Sequence, residues 1–160
     1  MKYLIFGKGY VANKFLNFFD GEALISDVRI EDYSAVKKEI EEKKPDVVIN
    51  CAGKTGRPNV DWCEDHKMET LFSNVVAPMI LARVCEELAV YMVHVGSGCV
   101  YEGYKNGEGF SEDDPPNFFG SLYSRTKASS EAMLKEFPVL QLRLRMPLDS
   151  IPSERNFITK

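Results

Sequence analysis

Residues 2–12, KYLIFGKGYVA, decide the fold of this 160-residue chain because they place an apolar run directly before a glycine motif. The run at 2–6 is short and ends at a glycine, which predicts a buried β-strand. The motif that follows is G-x-G-x-x-A, and residues 10–19 repeat large apolar side chains at helical spacing. A glycine loop between a strand and a helix is typical of a dinucleotide-binding unit.

Strand and helix alternate along most of the remaining chain. Further strands are predicted at 23–26, 47–51, 91–95 and 139–144. Helices are predicted at 10–19, 34–44, 69–88 and 123–137. Pro78 lies inside the third helix and is expected to kink or split it. Strict alternation predicts right-handed crossovers, so we expect a single α/β domain with a doubly wound, Rossmann-like parallel sheet.

The composition narrows the class of protein. The formal charge is −4 and the sequence has no basic stripe or cationic amphipathic stretch, so neither nucleic acid nor a membrane is expected as a partner. The four cysteines are widely separated, which is typical of reduced thiols in a cytoplasmic protein. Cys63 and His66 form a C-x-x-H pair, but no second pair completes a zinc site, and no metal is expected.

The glycine motif has a physical reason for each small residue. Gly7 can make the tight turn, and Gly9 lets a pyrophosphate approach the backbone. Tyr10 and Val11 open the following helix, whose free N–H groups and positive dipole end favour phosphate. Ala12 allows the helix to pack closely on the strand. The alternative interpretation is a glycine-rich turn with only a structural role.

The residues after the second strand bear on the choice of dinucleotide. An acidic residue there binds the ribose 2′-hydroxyl of NAD, whereas an arginine favours the 2′-phosphate of NADP. The sequence offers both Asp27 and Arg29, and we favour NADP, with NAD as the alternative. Asp32 and Tyr33 are placed to hold the adenine ring, although Asp32 is equally suited to cap a helix.

Two other strand ends complete the predicted ligand edge. Cys51, Ala52 and Gly53 follow the third strand, and their small side chains let a cofactor lie against the backbone. A tight exit from the strand is the structural alternative. Ser97 follows the fourth strand, where open α/β sheets bind ligands, and its hydroxyl can stabilise charge on a substrate oxygen.

The stretch 123–127, YSRTK, places a tyrosine and a lysine four residues apart on a predicted helix. This spacing puts Tyr123 and Lys127 on one face. A nearby ammonium stabilises tyrosinate, so we expect a lowered pKa for Tyr123. The phenol would then donate a proton to a carbonyl that is being reduced by hydride.

Together with the glycine loop and Ser97, this pattern resembles the extended short-chain dehydrogenase/reductases. Three longer strings resemble the nucleotide-rhamnose epimerase-reductases and, more distantly, the dTDP-4-dehydrorhamnose reductases. They are CAGKTGRPNVDWCE at 51–64, PNFFGSLY at 116–123, and RLRMP at 143–147 with RNFITK at 155–160. The resemblance implies NADP(H)-dependent reduction of a nucleoside-diphospho-4-keto-6-deoxyhexose, with 3,5-epimerisation as a further activity.

Further roles come from this resemblance and, for Cys99, also from its position two residues after Ser97, which predicts that both side chains point to the same side of the strand. The resemblance implies that Cys99 and Lys160 act as the base and acid of epimerisation, with a small buried thiol and a terminal side chain as the structural alternatives. Asn74 is implied to support the active-site backbone at the cofactor. Contacts to sugar or cofactor are implied for Thr55, Arg57, Asn59, Asn117 and Phe118, although Asn59 and Asn117 are also suited to turns.

The resemblance also bears on domain organisation. It implies a dinucleotide-binding domain at 1–146 and the start of a truncated substrate-binding segment at 147–160, because the similar enzymes continue into a small closing domain. A homodimer is left open. Two other functions stay as alternatives: a nucleotide-sugar 4-epimerase or 4,6-dehydratase that recycles NAD, and a non-catalytic dinucleotide-binding module.

Overall fold

The computed structural model describes residues 1–148, 150 and 152, which form five β-strands and six α-helices. The strands are β1 Tyr3–Phe6, β2 Ala23–Ser26, β3 Val47–Asn50, β4 Tyr91–Ser97 and β5 Val139–Leu144. The helices are α1 Tyr10–Phe18, α2 Tyr33–Lys43, α3 Trp62–Asp65, α4 Lys67–Leu71, α5 Ala77–Glu87 and α6 Leu122–Leu134.

All strands of this sheet are parallel, and their order is β2-β1-β3-β4-β5. The chain leaves β1 toward one side to form β2 and then returns to the other side to form β3. The carboxyl ends of β1 and β3 therefore flank the point at which the winding reverses, where open α/β sheets bind ligands. The predicted doubly wound, Rossmann-like sheet is confirmed.

Alternate residues of the central strands pack on opposite faces of the sheet. Leu4 and Phe6 belong to a core shared with α2, α5 and α6. Ile5 and Ile49 belong to a second core that packs against Ala12 of α1. Because both faces are covered, these strands are apolar at nearly every position, as buried parallel strands are. The two layers hold the carboxyl ends of the strands at one edge.

The predicted third helix is continuous rather than split at Pro78. A π-helical segment, Phe72–Val76, joins α4 to α5, and the proline lies in the first turn of α5. Proline has no N–H and crowds the carbonyl four residues earlier, and the wider π turn just before it relieves both constraints. The stretch Lys67–Glu87 is long and apolar enough to cross a membrane, but half of its most apolar window is buried inside the protein, as in a core helix.

Candidate active site

The turn after β1 depends on the absence of a side chain at Gly7. Its φ is +102°, and a Cβ there would lie 2.7 Å from the backbone nitrogen of Ala52 at the end of β3. Gly9 immediately precedes α1 and provides no capping side chain, and no carboxylate lies in the first turn. A Cβ on Gly9 would meet nothing within 4 Å. The N-terminus of α1 therefore faces open space bordered by backbone, which fits a phosphate group.

The charged residues that follow β2 are engaged in ion pairs. Asp27 pairs with Lys8 of the glycine loop, and the hydrogen bond from this ammonium lowers the pKa of the Asp27 carboxyl. Arg29 pairs with Glu31, with 3.1 Å between guanidinium nitrogen and carboxylate oxygen, and its side chain is 79% exposed. Asp27 and Arg29 line a cavity of about 530 Å³ together with the glycine loop and the end of β3.

Asp32 and Tyr33 do not line that cavity. Asp32 precedes α2, and its carboxylate accepts a hydrogen bond of 3.0 Å from the backbone N–H of Ala35. The Tyr33 hydroxyl donates to Glu87 on α5 at 2.5 Å. The structure thus favours the helix-capping interpretation of Asp32 and turns Tyr33 toward a neighbouring helix.

The end of β3 is fixed by buried amide side chains. The Asn50 side chain accepts from the N–H of Ala52 at 2.9 Å and lies 3.1 Å from Nδ1 of His94 on β4. Burial lowers the pKa of His94 to about 3, so the imidazole is neutral and its Nδ1 can accept from the Asn50 amide. These bonds hold Cys51–Gly53 at the switch point.

Asn74 connects the next residues of this loop to α6. Its Oδ1 accepts from the N–H of Lys54 at 2.7 Å, while its Nδ2 donates to the Lys54 carbonyl at 2.9 Å and to the Thr126 hydroxyl at 3.2 Å. Asn74 lies in the π-helical segment, a feature that often accompanies functional sites. The geometry matches the backbone support that the sequence implied.

Ser97, Tyr123 and Lys127 meet at the carboxyl end of β4 and line one cavity of about 250 Å³. The three residues are 6%, 8% and 8% exposed, respectively. The Ser97 hydroxyl accepts from the N–H of Cys99 at 3.1 Å, and Lys127 donates to the Val95 carbonyl at 3.3 Å. The helical spacing of tyrosine and lysine therefore places both side chains in the same pocket as Ser97.

The expected pKa of Tyr123 is wrong in direction. Burial raises the pKa of its phenol, and only the neighbouring Ser97 hydroxyl opposes that shift. Lys127 does not oppose this shift, and burial lowers the pKa of its own ammonium to about 8. Removing both groups from water disfavours both charged forms. The pocket holds Tyr123 protonated, which is the form that a proton donor needs.

Cys99 lines the same cavity as Ser97, although the strand alternation that predicted this placement does not extend to it. β4 ends at Ser97, and Cys99 lies in a 3₁₀ turn, Gly98–Val100, where alternation no longer holds. The Ser124 hydroxyl donates to the Cys99 carbonyl at 2.8 Å and ties this turn to α6. Burial raises the pKa of Cys51, the second thiol in the cavity, to about 12. Lys160 lies outside the described residues.

The predicted loop contacts divide into two groups. Thr55 and Arg57 line a cavity of about 720 Å³ together with the glycine loop. Asn59 instead bonds Asp61 of its own loop, with side-chain and backbone hydrogen bonds of 3.0 Å each. Asn117 bonds the backbone of Glu102 in both directions, and Phe118 packs against Gly120. The structure favours turn formation for Asn59, while Asn117 joins the two ends of the loop at 102–117. None of Asn59, Asn117 and Phe118 lines the three cavities.

The three cavities form one cleft because Gly53 lines all of them. The cleft is also lined by Lys8, Lys54 and Trp62, which were not predicted from the sequence, although Lys8 lies inside the glycine motif. The smallest of the three cavities is also lined by Leu144, the last residue of β5, and by Met146 and Pro147 just after it, none of which was predicted. Within the described ranges, no group of three or more His, Cys, Asp or Glu side chains is placed to hold a metal ion.

Comparison with known proteins gives the cleft a context. Residues 1–150 match the family model described as RmlD substrate binding domain. The whole chain is 44% identical to an Arabidopsis thaliana trifunctional UDP-glucose 4,6-dehydratase/UDP-4-keto-6-deoxy-D-glucose 3,5-epimerase/UDP-4-keto-L-rhamnose-reductase, of which it covers 26%. Over 99% of its length it is 41% identical to a bifunctional dTDP-4-dehydrorhamnose 3,5-epimerase/dTDP-4-dehydrorhamnose reductase of the same plant, of which it covers 56%.

A solved structure agrees with these relatives. The crystal structure of the UDP-rhamnose synthase from Acanthamoeba polyphaga mimivirus matches 99% of this chain with a TM-score of 0.89 and 36% identity. This chain covers 61% of that protein. It therefore spans between about a quarter and three-fifths of the length of these relatives.

Proposed function

Because the chain belongs to the family described as RmlD substrate binding domain, we propose that it provides the cofactor site and proton donor of an NADPH-dependent sugar-nucleotide reductase. The substrate class is a nucleoside-diphospho-4-keto-6-deoxyhexose, with 3,5-epimerisation as a second activity. The observation that carries this proposal is the buried grouping of Ser97, Tyr123 and Lys127 at the end of a cleft that begins at the glycine loop. A protein that only bound dinucleotide would need no buried proton donor.

The residues of the cleft fit a dinucleotide. Gly7 and Gly9 leave backbone and open space where a pyrophosphate would bind, at the N-terminus of α1. Arg29 and Lys8 place two cations beside the end of β2, which suits a 2′-phosphate better than a 2′-hydroxyl. NADPH supplies the hydride when it is bound. We assign the cleft from Asp27 to Gly53 to this cofactor.

The chain's own residues manage the proton at the substrate carbonyl. Tyr123 donates it from a phenol that burial keeps protonated. Ser97 offers a hydroxyl to the same oxygen and so stabilises charge that develops there. The Lys127 ammonium lies 3.6 Å from the place of a Cβ on Gly53, where the cofactor end of the cleft meets the cavity of Ser97 and Tyr123.

Epimerisation would need a base and an acid on opposite faces of the sugar. Cys99 lines the same cavity as Ser97 and Tyr123, which supports its assignment as the base. Lys160 keeps its proposed role as the acid on the sequence resemblance alone. Thr55 and Arg57 line the neighbouring cavity and are proposed to contact the nucleotide part of either ligand. A homodimer, a cytoplasmic location and the boundary at 146 stay predictions.

The reductase is tested by mixing the protein with UDP- or dTDP-4-keto-6-deoxyglucose and NADPH and following nicotinamide absorbance. A stoichiometric loss of NADPH with formation of a rhamnose nucleotide supports the proposal. Sugar conversion without net use of NADPH would instead indicate a 4-epimerase or dehydratase that recycles NAD. Tight cofactor binding without any conversion would indicate a binding module.

Epimerase activity is tested separately with Cys99→Ser. We expect this change to abolish solvent deuterium uptake at C3 and C5 of the keto-sugar, because a serine hydroxyl is a much weaker acid than a thiol and cannot act as the base near neutral pH. Reduction of a substrate that is already epimerised should survive. Unchanged deuterium uptake in the variant would remove Cys99 from the mechanism.

A further inference from the structure

Glu64 reaches from the short helix α3 to the first turn of the helix that carries Tyr123. Its Oε1 accepts a hydrogen bond of 2.5 Å from the backbone N–H of Leu122. Its Oε2 lies 3.4 Å from the guanidinium of Arg125, which also donates to the Phe119 carbonyl at 2.9 Å. Both carboxylate oxygens of a residue 58 positions away in the chain therefore engage the start of α6.

This contact supplies a hydrogen-bond acceptor that the first turn of α6 lacks. The first N–H groups of a helix have no intrahelical partner. The Ser121 hydroxyl caps α6 by accepting from the N–H of Ser124 at 3.1 Å. The N–H of Leu122 is left for Glu64, and a carboxylate at this end is also favoured by the helix dipole. Leu122 directly precedes Tyr123, so the bond acts on the backbone next to the phenol.

The other end of this connection is the loop that lines the cofactor cleft. Residues 53–57 border the cavity of about 720 Å³, and Trp62, the first residue of α3, lines it too. The loop packs tightly on α3, because a Cβ on Gly56 would lie 2.7 Å from that of Trp62. Cys63 is fully buried and lies close enough to Tyr123 to act on its pKa. A shift of the loop would therefore be passed to α3 and to Glu64.

We propose that Glu64 is a positioning residue that couples the loop at 53–62 to the start of α6, so that cofactor in the cleft orders the backbone around Tyr123. The inference rests on the proposed function, because it takes Tyr123 as the proton donor and NADPH as the occupant. Glu64 itself touches neither reacting atom. Its contribution is the acceptor oxygen at Leu122, and the ion pair with Arg125 is exposed and adds little.

Amide hydrogen exchange of the segment 119–126 tests the coupling without any turnover. Glu64→Ala should speed exchange at the start of α6 by about tenfold, the scale of one hydrogen bond to a charged group. Glu64→Gln keeps an acceptor oxygen and should stay within about threefold of the unmutated protein. Asp65→Ala, at the exposed next position of α3, is the matched control and should change nothing.

Adding NADPH provides the second comparison. It should protect the segment 119–126 in the unmutated protein but not in Glu64→Ala. Unchanged exchange in Glu64→Ala, exchange in Glu64→Gln as fast as in the alanine variant, or full NADPH protection in the alanine variant would each overturn the proposal. Glu64→Asp keeps the charge but has a side chain that is one methylene shorter, so it should also speed exchange of the segment 119–126. This variant tests the coupling if the alanine variant does not fold.

Kinetics separates positioning from a purely structural role. Glu64→Ala should lower kcat for keto-sugar reduction by about tenfold while KM for NADPH changes by less than about twofold, since only the proton donor is displaced. Glu64→Gln should restore most of kcat. Equal losses in both variants, or a loss confined to KM, would contradict the inference. If the unmutated protein never oxidises NADPH, the proposed function fails, and the exchange experiment still decides the role of Glu64.

Discussion

The two ends of the cleft are built by different means. The end at β1 and β2 is formed by backbone and by exposed, ion-paired side chains. Gly7 lies close to the backbone just after β3, and the Arg29 side chain is largely exposed to solvent. The end at β4 and α6 is formed by buried side chains, Ser97, Tyr123 and Lys127, that line a small cavity. The first end therefore depends on the absence of side chains, and the second depends on their identity.

This difference predicts where substitutions act. At the glycine end a single added methyl group should damage the fold, while an exposed charge can be removed at small cost. At the catalytic end an isosteric change should leave the fold intact and alter chemistry or the response to pH.

Gly7→Ala should lower the free energy of unfolding by about 3 kcal/mol, because a residue with a Cβ is strained at positive φ and meets the Ala52 backbone. Gly9→Ala is the matched control: its Cβ meets nothing, so stability should change by less than about 1 kcal/mol while dinucleotide affinity falls. Urea unfolding measures the stability of the two variants, and dinucleotide titration measures their affinity for the cofactor. Equal stability of the two variants would contradict the requirement for an absent side chain at Gly7.

Tyr123→Phe should lower the rate of keto-sugar reduction by about 10²-fold, the usual scale for general acid catalysis, and leave the dissociation constant of NADPH nearly unchanged. The phenyl ring keeps the packing of a residue that is buried in α6, so the melting temperature should hold. Steady-state kinetics and calorimetric titration provide the measurement. A rate within threefold of the unmutated protein would exclude Tyr123 as the proton donor.

Lys127 should make stability depend on pH in a narrow alkaline window. Burial lowers its pKa from 10.5 to about 8, so above pH 8 the unfolded chain holds a proton that the folded chain has released. The free energy of unfolding of the unmutated protein, taken relative to that of Lys127→Met, should therefore rise by about 1 kcal/mol between pH 8 and 9. The buried thiols of Cys51 and Cys85, whose pKa values burial raises from 9.0 to about 12, act in the opposite direction over the same range in both proteins, so the difference between the two proteins isolates Lys127.

Urea unfolding at pH 8 and pH 9 measures this effect in both proteins. Lys135→Met is a suitable control, because this lysine lies exposed just after α6. No difference in pH response between the Lys127→Met variant and the unmutated protein would show that burial does not lower the pKa of Lys127.

Arg29→Ala should give the smallest effect. Its guanidinium is exposed and pairs with Glu31, so its loss should leave stability unchanged and weaken NADPH binding by about fivefold, corresponding to about 1 kcal/mol. The affinity for NADH should stay unchanged. Lys38→Ala, an exposed cation on α2, is the control. Equal losses for both dinucleotides, or an initial preference for NADH, would leave Asp27 as the selector.

Much of the fold follows from local pattern. The bounds predicted for β2 and β5 match the structure, and β1, β3 and the first two helices differ by a residue at most. The structure differs more elsewhere: α6 ends at Leu134 rather than at 137, the short helix α3 was not predicted, and two further differences arise from tertiary packing. β4 continues to Ser97 because it stays paired with β5, and the helix around Pro78 stays continuous because a π turn accommodates the proline.

The site was predicted less evenly than the fold. Motif spacing alone predicted that Ser97, Tyr123 and Lys127, the proposed catalytic residues, share one pocket, because strand ends and helix faces have fixed geometry. Residues in loops had two possible roles, and only the structure chose between them: Asp32 caps α2, and Asn117 bonds the Glu102 backbone. Both choices depend on which hydrogen-bond partner lies nearby, which a single sequence does not show.

The sequence by itself determined the order of strands and helices, the turn at Gly7 and the common face of Tyr123 and Lys127. Each of these depends on the chemistry of neighbouring residues. The tertiary structure decided the pKa of Tyr123, the Asn50–His94 pair and the bond from Glu64 to Leu122. These features depend on burial and on contacts between residues more than 40 positions apart, which exist only once the sheet and its helices have assembled.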